Sequence, residues 1–340
     1  MRNFNFRKLG KNPLFVNLAA VSLLFIVLFS LVATGVLSRY LTSILILILV
    51  MIIMSTSLNI ATGFLGQLHL GHAAFMGIGA YTASLLGILL RDAIASDILL
   101  FIISTMGAMV LAGIAGLLIG WPALRLKGDY LGIMTLGFGE IVKTIITNMK
   151  GLTNGAQGLY GIPKIMNFPT AFWTTVFVVT VIFLFMNSRH GRAILSIRED
   201  EIASESVGIN ISRYKLLGFV IASMFAAVGG SIFAFNIGFI APQSFNFLRS
   251  VEIFVIVVLG GMGSLSGSIV ASIVLVSMPE LLREFSSYRY LLYSSLLVTI
   301  MLFRPQGLMG TKEFSAKGIL KKAKTLFKRK DRDANASTRS

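Results

Sequence analysis

The chain has 340 residues, 55% hydrophobic and 13% charged, with a formal net charge of +16 and no cysteine. Soluble domains carry about 25% charged residues, so this composition excludes an ordinary water-soluble fold and points to an integral membrane protein. Disulfide and thiol chemistry are excluded by the lack of cysteine, and the basic excess does not indicate nucleic acid, because Lys and Arg sit in short loops and tails beside apolar runs, as the positive-inside rule predicts.

Residues 1–13 form a basic N-terminus carrying Arg2, Arg7, Lys8 and Lys11, expected in the cytoplasm. The apolar run 14–37 is too long for a signal-peptide core and lacks a small-residue cleavage site, so it reads as a retained first span. Run 41–61 follows after only Ser38, Arg39 and Tyr40. Each run has about the twenty residues needed to cross hydrocarbon, and together they predict a tight hairpin. The second run loses uniformity at Ser55, Thr56, Ser57 and Asn59 and ends in TGFLGQLHLGHAAF, residues 62–75. Gly63, Gly66 and Gly71 each cost a helix about 1 kcal/mol relative to Ala. Irregular backbone at membrane depth persists only inside protein or along a watery cavity, which places this break at a pathway.

A third span covers 72–90 and a fourth 98–120, both with small residues (Gly77, Gly79, Ala80; Gly107, Ala108, Gly113, Gly116) that allow close helix approach. Trp121 and Pro122 mark an interface and a stop. Residues 124–149 are amphipathic and contain Tyr130, Glu140 and Lys143. Glu140 and Lys143 are spaced to pair on one helix face, and the cost of charge inside a span predicts that they face the bundle interior. GLTNGAQGLYGIP, residues 151–163, is rich in turn formers and predicts an ordered external loop.

A span over 171–186 leads into a thirty-residue polar stretch, 187–216, with Arg189, Arg192, Arg198, Arg213 and Lys215 around an acidic cluster at Glu199, Asp200, Glu201 and Glu205. Connections in bundles are usually short, so a long foldable excursion predicts a docking element. A span over 216–237 and a turn region with Pro242 follow. Residues 251–278 are interrupted by GGMGSLSGS, 260–268. Basic residues 317–332 place the C-terminal tail, 305–340, on the same side as the N-terminus, so the number of crossings is even. Splitting the interrupted run into segments 251–259 and 267–282, with a last span over 288–303, satisfies that parity and puts 187–216 in the cytoplasm. The expected fold is all-α: a polytopic transmembrane bundle of about eight to ten segments over 14–304, including broken or re-entrant helices. Two glycine breaks, GFLGQLHLG and GGMGSLSG, mark the translocation path, with Gln67, His69, His72, Tyr130, Glu140, Gly260, Gly261 and Gly263 as candidate lining.

The sequence has no GxxxxGK[ST] phosphate loop, no nucleophile with a base and an orienting group, and at His69 and His72 no Cys, Asp or Glu to complete a zinc site. The expectation is therefore no catalytic residues, no metal and no cofactor in this chain, hence a conduit rather than an enzyme. Mid-span ionisable groups for ion coupling are sparse, so a primary transporter drawing work from a cytoplasmic partner fits better than a stand-alone secondary transporter or channel.

REDEIASESVGIN resembles the EAA motif of ATP-binding-cassette importer permeases: an acidic residue, small residues, then a glycine. GQLHLGHAAFMGIGAY, RLKGDYLGIMTLGFGEI, TNGAQGLYGIP, GRAILSIREDEIASESVGIN, VLGGMGSLSG and RPQGL, in order over residues 40–310, are similar to the LivM-type permeases of branched-chain amino-acid importers. That resemblance implies a permease subunit for branched-chain or other hydrophobic amino acids, or for urea or short amides, in a bacterial cytoplasmic membrane with both termini cytoplasmic. It implies as partners a LivH-like permease, two cytoplasmic ATPase subunits that use the ATP, and an extracytoplasmic substrate-binding protein, with lipid around the bundle and under the basic tail. Arg192, Arg198, Glu199, Asp200, Glu201, Ala203, Glu205 and Gly208 would form the coupling loop. Gly208 would end the acidic helix through a left-handed cap, and Arg192 and Arg198 would position the loop by charge pairing. Asn154, Gly155 and Tyr160 would meet the binding protein.

Overall fold

The computed structural model describes residues 13–123 and 129–283, and beyond them residues 288, 291, 294, 295, 298, 299, 302, 303, 307, 308 and 310. The described secondary structure is helical. In chain order the helices are α1 (Pro13–Ala33), α2 (Arg39–Asn59), α3 (His72–Leu90), α4 (Asp97–Ala123), α5 (Asp129–Asn148), α6 (Lys150–Thr153), α7 (Phe168–Asn187), α8 (Arg189–Glu199), α9 (Glu201–Ser206), α10 (Ile211–Ile237), α11 (Phe247–Gly260) and α12 (Leu265–Leu281). Among the described residues, seven helices are long and apolar enough to cross a membrane. With the apolar α1 and α12 they fall within the expected eight to ten, and the chain is a multi-pass membrane protein. The expected last span over 288–303, the N-terminus 1–12 and the tail beyond 310 lie largely or wholly outside the described residues.

The chain divides into two units, Met1–Ser38 with Lys312–Ser340, and Arg39–Thr311. In the first, α1 ends at Ala33 rather than at Leu37, because Gly35 takes φ +72° and turns the chain. In the second, Arg39 and Tyr40 are the first residues of α2 rather than a linker.

The core of the second unit is α2, buried almost throughout from Ile46 to Asn59. α10 packs across α3, α4 and α2, while α12 packs against α2 and α11. The expected small faces meet each other. A Cβ added at Gly79 would run into the Ala227 backbone, and one at Gly230 into the carbonyl of Met76, so α3 and α10 cross at backbone contact. Gly113 and Gly116 seat Met224 and Ser223 of α10 against α4. Such close approach is how membrane helices gain packing without a hydrophobic drive. Gly230→Val is accordingly expected to abolish recovery of monodisperse protein from detergent extracts. Gly137→Ala, whose added Cβ meets nothing within 4 Å, is expected to leave recovery and melting unchanged or slightly improved. Equal recovery of the two variants would overturn the close-crossing account.

α4 continues through Trp121 and Pro122 to Ala123 instead of stopping before them. Proline in a last turn forfeits a single backbone bond, too little to end a helix one residue earlier. The interrupted run splits as expected, into α11 and α12 around Gly261–Ser264, but α11 begins at Phe247 because Asn246 caps it, its Oδ1 accepting from Arg249 N at 3.0 Å.

Candidate functional site

The polar stretch folds as two capped helices. Ser188 caps α8, accepting from the amides of His190 and Gly191. Gly191 is required there because a side chain would strike the backbone of Met186, so α8 turns tightly off the end of α7. Ile194 and Ile197 bury one face of α8 completely. Asp200 breaks the helix in an extended conformation and caps α9, its Oδ1 accepting from Ile202 N at 2.9 Å and Ala203 N at 3.0 Å. Gly208, at φ +86°, ends that turn, with Gly208 N donating to Glu205 O and Ile209 N to Ser204 O, the expected left-handed cap. Glu201 pairs with Lys215 at the start of α10. Glu199, Asp200, Glu201, Ala203 and Glu205 are exposed, and between them Ile202 and Val207 stand 82% and 74% exposed. Two solvated apolar side chains thus stand within an acidic rim. Ile202 and Val207 carry no periodic signal in a polar loop, so the sequence did not single them out.

Arg192 and Arg198 do not position this loop by charge pairing. Arg192 Nη1 donates to the carbonyl of Asn187 at 3.0 Å, closing the end of α7, and Arg198 Nη1 donates to the carbonyl of Gly63 at 2.8 Å. Of the nearby carboxylates, Asp200 serves as a helix cap and Glu201 pairs with Lys215.

The Arg198 contact leads into the centre of the site, where the two glycine breaks meet. α2 loosens into one π-helical turn, Ile60–Phe64, whose Gly63 lies against Gly263 of the Gly261–Ser264 connection. Asn59, wholly buried, spans the two: Nδ2 donates to Ser264 O and to Ser268 Oγ, both at 2.9 Å, and Oδ1 accepts from Gly263 N at 2.8 Å. A Cβ on Gly63 would collide with Gly263, and one on Gly263, at φ +86°, would reach Arg198 Nη1. From the far end of the domain, Leu308 N donates to Leu259 O at 2.6 Å, and Gly307 lies against Gly261. Without water, each freed backbone group must find a protein partner. Here the partners come from four separate stretches of chain.

The remainder of the first break is sealed the same way. Leu70 N donates to Thr135 Oγ1 at 3.1 Å, Ala73 N to Ser250 Oγ at 3.0 Å, and His72 Nε2 meets Ser57 Oγ at 2.9 Å. His69 packs edge-on to Phe219, centroids 4.9 Å apart. Both histidines are buried; their Nδ1 atoms and Gln67 Oε1 lack partners among the described residues. Tyr130 and Glu140 do not join this cluster. α5 buries Leu131, Thr135, Phe138, Val142 and Ile146, one helical stripe, which turns Tyr130 (72% exposed) and the Glu140–Lys143 pair (3.0 Å) to the outer face. Within this chain Glu140 is half-exposed and turned away from the buried core: the apolar stripe decides the rotation of the helix, and pairing at i, i+3 lowers the cost of the charge.

Asn154 (φ 59°) and Gly155 (φ 61°) turn the loop after α6, Leu159 and Ile240 form an isolated bridge, and Tyr160 stacks on Phe239 at 4.4 Å with 60% of its surface exposed. The twenty residues of α7, about 30 Å long, separate this ordered loop from α8 and α9, so the two lie at opposite ends of the bundle.

The family described as branched-chain amino acid transport system / permease component matches residues 40–304. The high-affinity branched-chain amino acid transport system permease protein LivM of Escherichia coli is 38% identical over 77% of this chain and 68% of its own length. The corresponding LivH of Escherichia coli is 27% identical over 74% of this chain and 88% of its own. Among solved structures, PsaBC from Streptococcus pneumoniae aligns over 81% of this chain and 95% of that chain at 17% identity and a TM-score of 0.40, too low to bear on the fold.

Proposed function

Because this chain belongs to the branched-chain amino acid transport permease family, we propose that it is the membrane-spanning subunit of an ATP-driven importer for branched-chain or other hydrophobic amino acids. It forms part of the translocation path and carries no catalytic residues, metal or cofactor of its own. A LivH-like permease completes the bundle, and its presence is supported by similarity to both LivM and LivH. Two cytoplasmic ATPase subunits use the ATP. An extracytoplasmic substrate-binding protein meets the loop with Asn154, Gly155 and Tyr160. The placement of α8 and α9 in the cytoplasm, with both termini on that side of a bacterial inner membrane, is supported by the basic residues of α8, of the start of α10 and of the termini.

The observation that carries this reading is the Arg198–Gly63 contact, 2.8 Å long. It connects a capped, acidic, exposed helix pair, the part suited to a groove on an ATPase, to the point where both broken helices meet. A displaced coupling helix therefore acts directly on the breaks. In the permease one conformation keeps the contact and another changes it, and a ligand or partner shifts that equilibrium only through such a difference.

Reconstitution of the chain with its partner permease, ATPase subunits and binding protein in proteoliposomes tests the reading. Leucine uptake is expected to require ATP, and reversing charge at Glu199 and Glu201 together is expected to release the ATPase subunits or to leave their hydrolysis without uptake. Uptake by this chain alone without ATP would sink the proposal. Urea uptake with no leucine uptake would retain the mechanism and change the substrate.

A further inference from the structure

At the end of the bundle opposite α8 and α9, an open cavity of about 620 Å³ lies between the first half of α2, the C-terminal end of α10 and the start of α11. Its volume is in the range of small-molecule sites. Its wall is aliphatic where α2 contributes Ile44, Leu47 and Val50, and charged where α11 contributes Arg249 and Glu252. Arg249 Nη1 donates to Glu252 Oε2 at 2.8 Å, and the guanidinium carbon stands 5.8 Å from the centroid of Phe233. The Arg249 side chain is 19% exposed and that of Glu252 41%. This pair uses one of the five guanidinium N–H groups and one carboxylate oxygen, and the other carboxylate oxygen has no partner among the described residues.

Two opposite charges held side by side next to an aliphatic wall complement one chemical class, a zwitterion with a branched apolar side chain. We propose that this cavity is the permease's own recognition site for the amino acid, with Arg249 holding the α-carboxylate, Glu252 the α-ammonium, and Ile44, Leu47 and Val50 the side chain. The proposal rests on the amino-acid reading above. Guanidinium binds carboxylate through parallel N–H bonds. Exchanging an internal ion pair for two pairs with a zwitterion leaves no charge uncompensated, which matters where stray charge is costly. An amine or a carboxylic acid with the same side chain lacks that balance.

The placement links recognition to the breaks. α2 and α11 are the helices that end in the two glycine interruptions, and Asn59 and Gly263 join their inner ends. Ser250, next to Arg249, accepts from Ala73 N at 3.0 Å and so ties the first turn of α11 to the start of α3. A ligand drawing Arg249 and Glu252 apart moves the turn that carries this contact.

The test uses the assembled permease and ATPase complex in lipid nanodiscs without the binding protein, so that ligands meet the permease directly. Saturation-transfer NMR reads the methyl groups of leucine, of 4-methylpentanoate, which lacks the ammonium, and of isoamylamine, which lacks the carboxylate. Arg249→Gln is expected to weaken leucine and 4-methylpentanoate at least tenfold and to leave isoamylamine within twofold. Glu252→Gln is expected to weaken leucine and isoamylamine and to spare 4-methylpentanoate. Leu47→Trp, which fills the cavity from its aliphatic wall, is expected to weaken all three. No leucine binding in the unaltered complex, or charge variants that affect the three ligands equally or not at all, overturns the site. ATP-driven leucine uptake by the unaltered importer, with its binding protein, is measured alongside. Its absence overturns the amino-acid reading and this site with it, whereas uptake without the charge pattern overturns this site alone.

Discussion

Replacing Asn59 by leucine, similar in size but apolar, is expected to lower the melting midpoint of the purified protein by roughly 5 °C or more and to reduce its recovery from membranes. Asn59 is completely buried and makes three hydrogen bonds, to Gly263 N, Ser264 O and Ser268 Oγ. Leucine leaves the Gly263 amide without its acceptor, at about 1–3 kcal/mol, and removes two bonds worth about 0.5–1.5 kcal/mol each. Ser264 O keeps its bonds from Ser268 N and Ser268 Oγ, so the cost falls mainly on Gly263. The total, about 2–6 kcal/mol, is a large part of a typical stability of about 5–15 kcal/mol. At about 2–4 °C per kcal/mol for large domains, it is measurable by thermal scanning. Ser55→Ala provides the comparison: it removes the 2.8 Å contact with Ser272 between α2 and α12 and is expected to cost about 1 kcal/mol. If the two variants melt together, Asn59 is packing filler and not the clasp between the breaks.

That clasp shows where reading the sequence stops. Apolar length and small-residue spacing were enough to place α3 over His72–Leu90 and to mark the faces of α3, α4 and α10 that meet, and the glycine interruption with charge parity was enough to split the run before α12. Both breaks were legible, because glycine inside an apolar span is a local conflict. Their contact was not. Asn59 and Gly263 are 204 positions apart, and no local periodicity reports which distant carbonyl needs a donor. Asn59 therefore reads as a mere loss of apolar uniformity. Glu140 shows another limit: a rule about charge in membranes does not set the rotation of α5 within the chain, which the buried stripe from Leu131 to Ile146 fixes. Arg198 was read with the carboxylates beside it in sequence, although the helix points it to a glycine carbonyl 135 positions away.

Arg198→Ala is expected to raise the ATP hydrolysed per leucine transported by at least tenfold while leaving the ATPase subunits bound. The side chains proposed to dock, Ile202, Val207 and the exposed acids of α9, stand in solvent and make no described contact with Arg198. α8 also keeps its seat, because Ile194 and Ile197 are buried and Ser188 still caps its first turn. What is lost is the bond to Gly63 O, the described hydrogen bond between this helix and the π turn of α2. A hydrogen bond to a charged group is worth about 1.5–3 kcal/mol. If it is made in one state of the permease and broken in the other, that is a factor of roughly 10 to 150 in their ratio. Arg198→Lys keeps the charge but not the planar fork and is expected to fall between the two. Gly63→Ala approaches the same joint from the other side, since its Cβ would displace Gly263, and is expected to uncouple as well. Wild-type stoichiometry in Arg198→Ala would mean that force reaches the breaks by another route, with the buried face of α8 against Leu65 and Gly218 the next element to test.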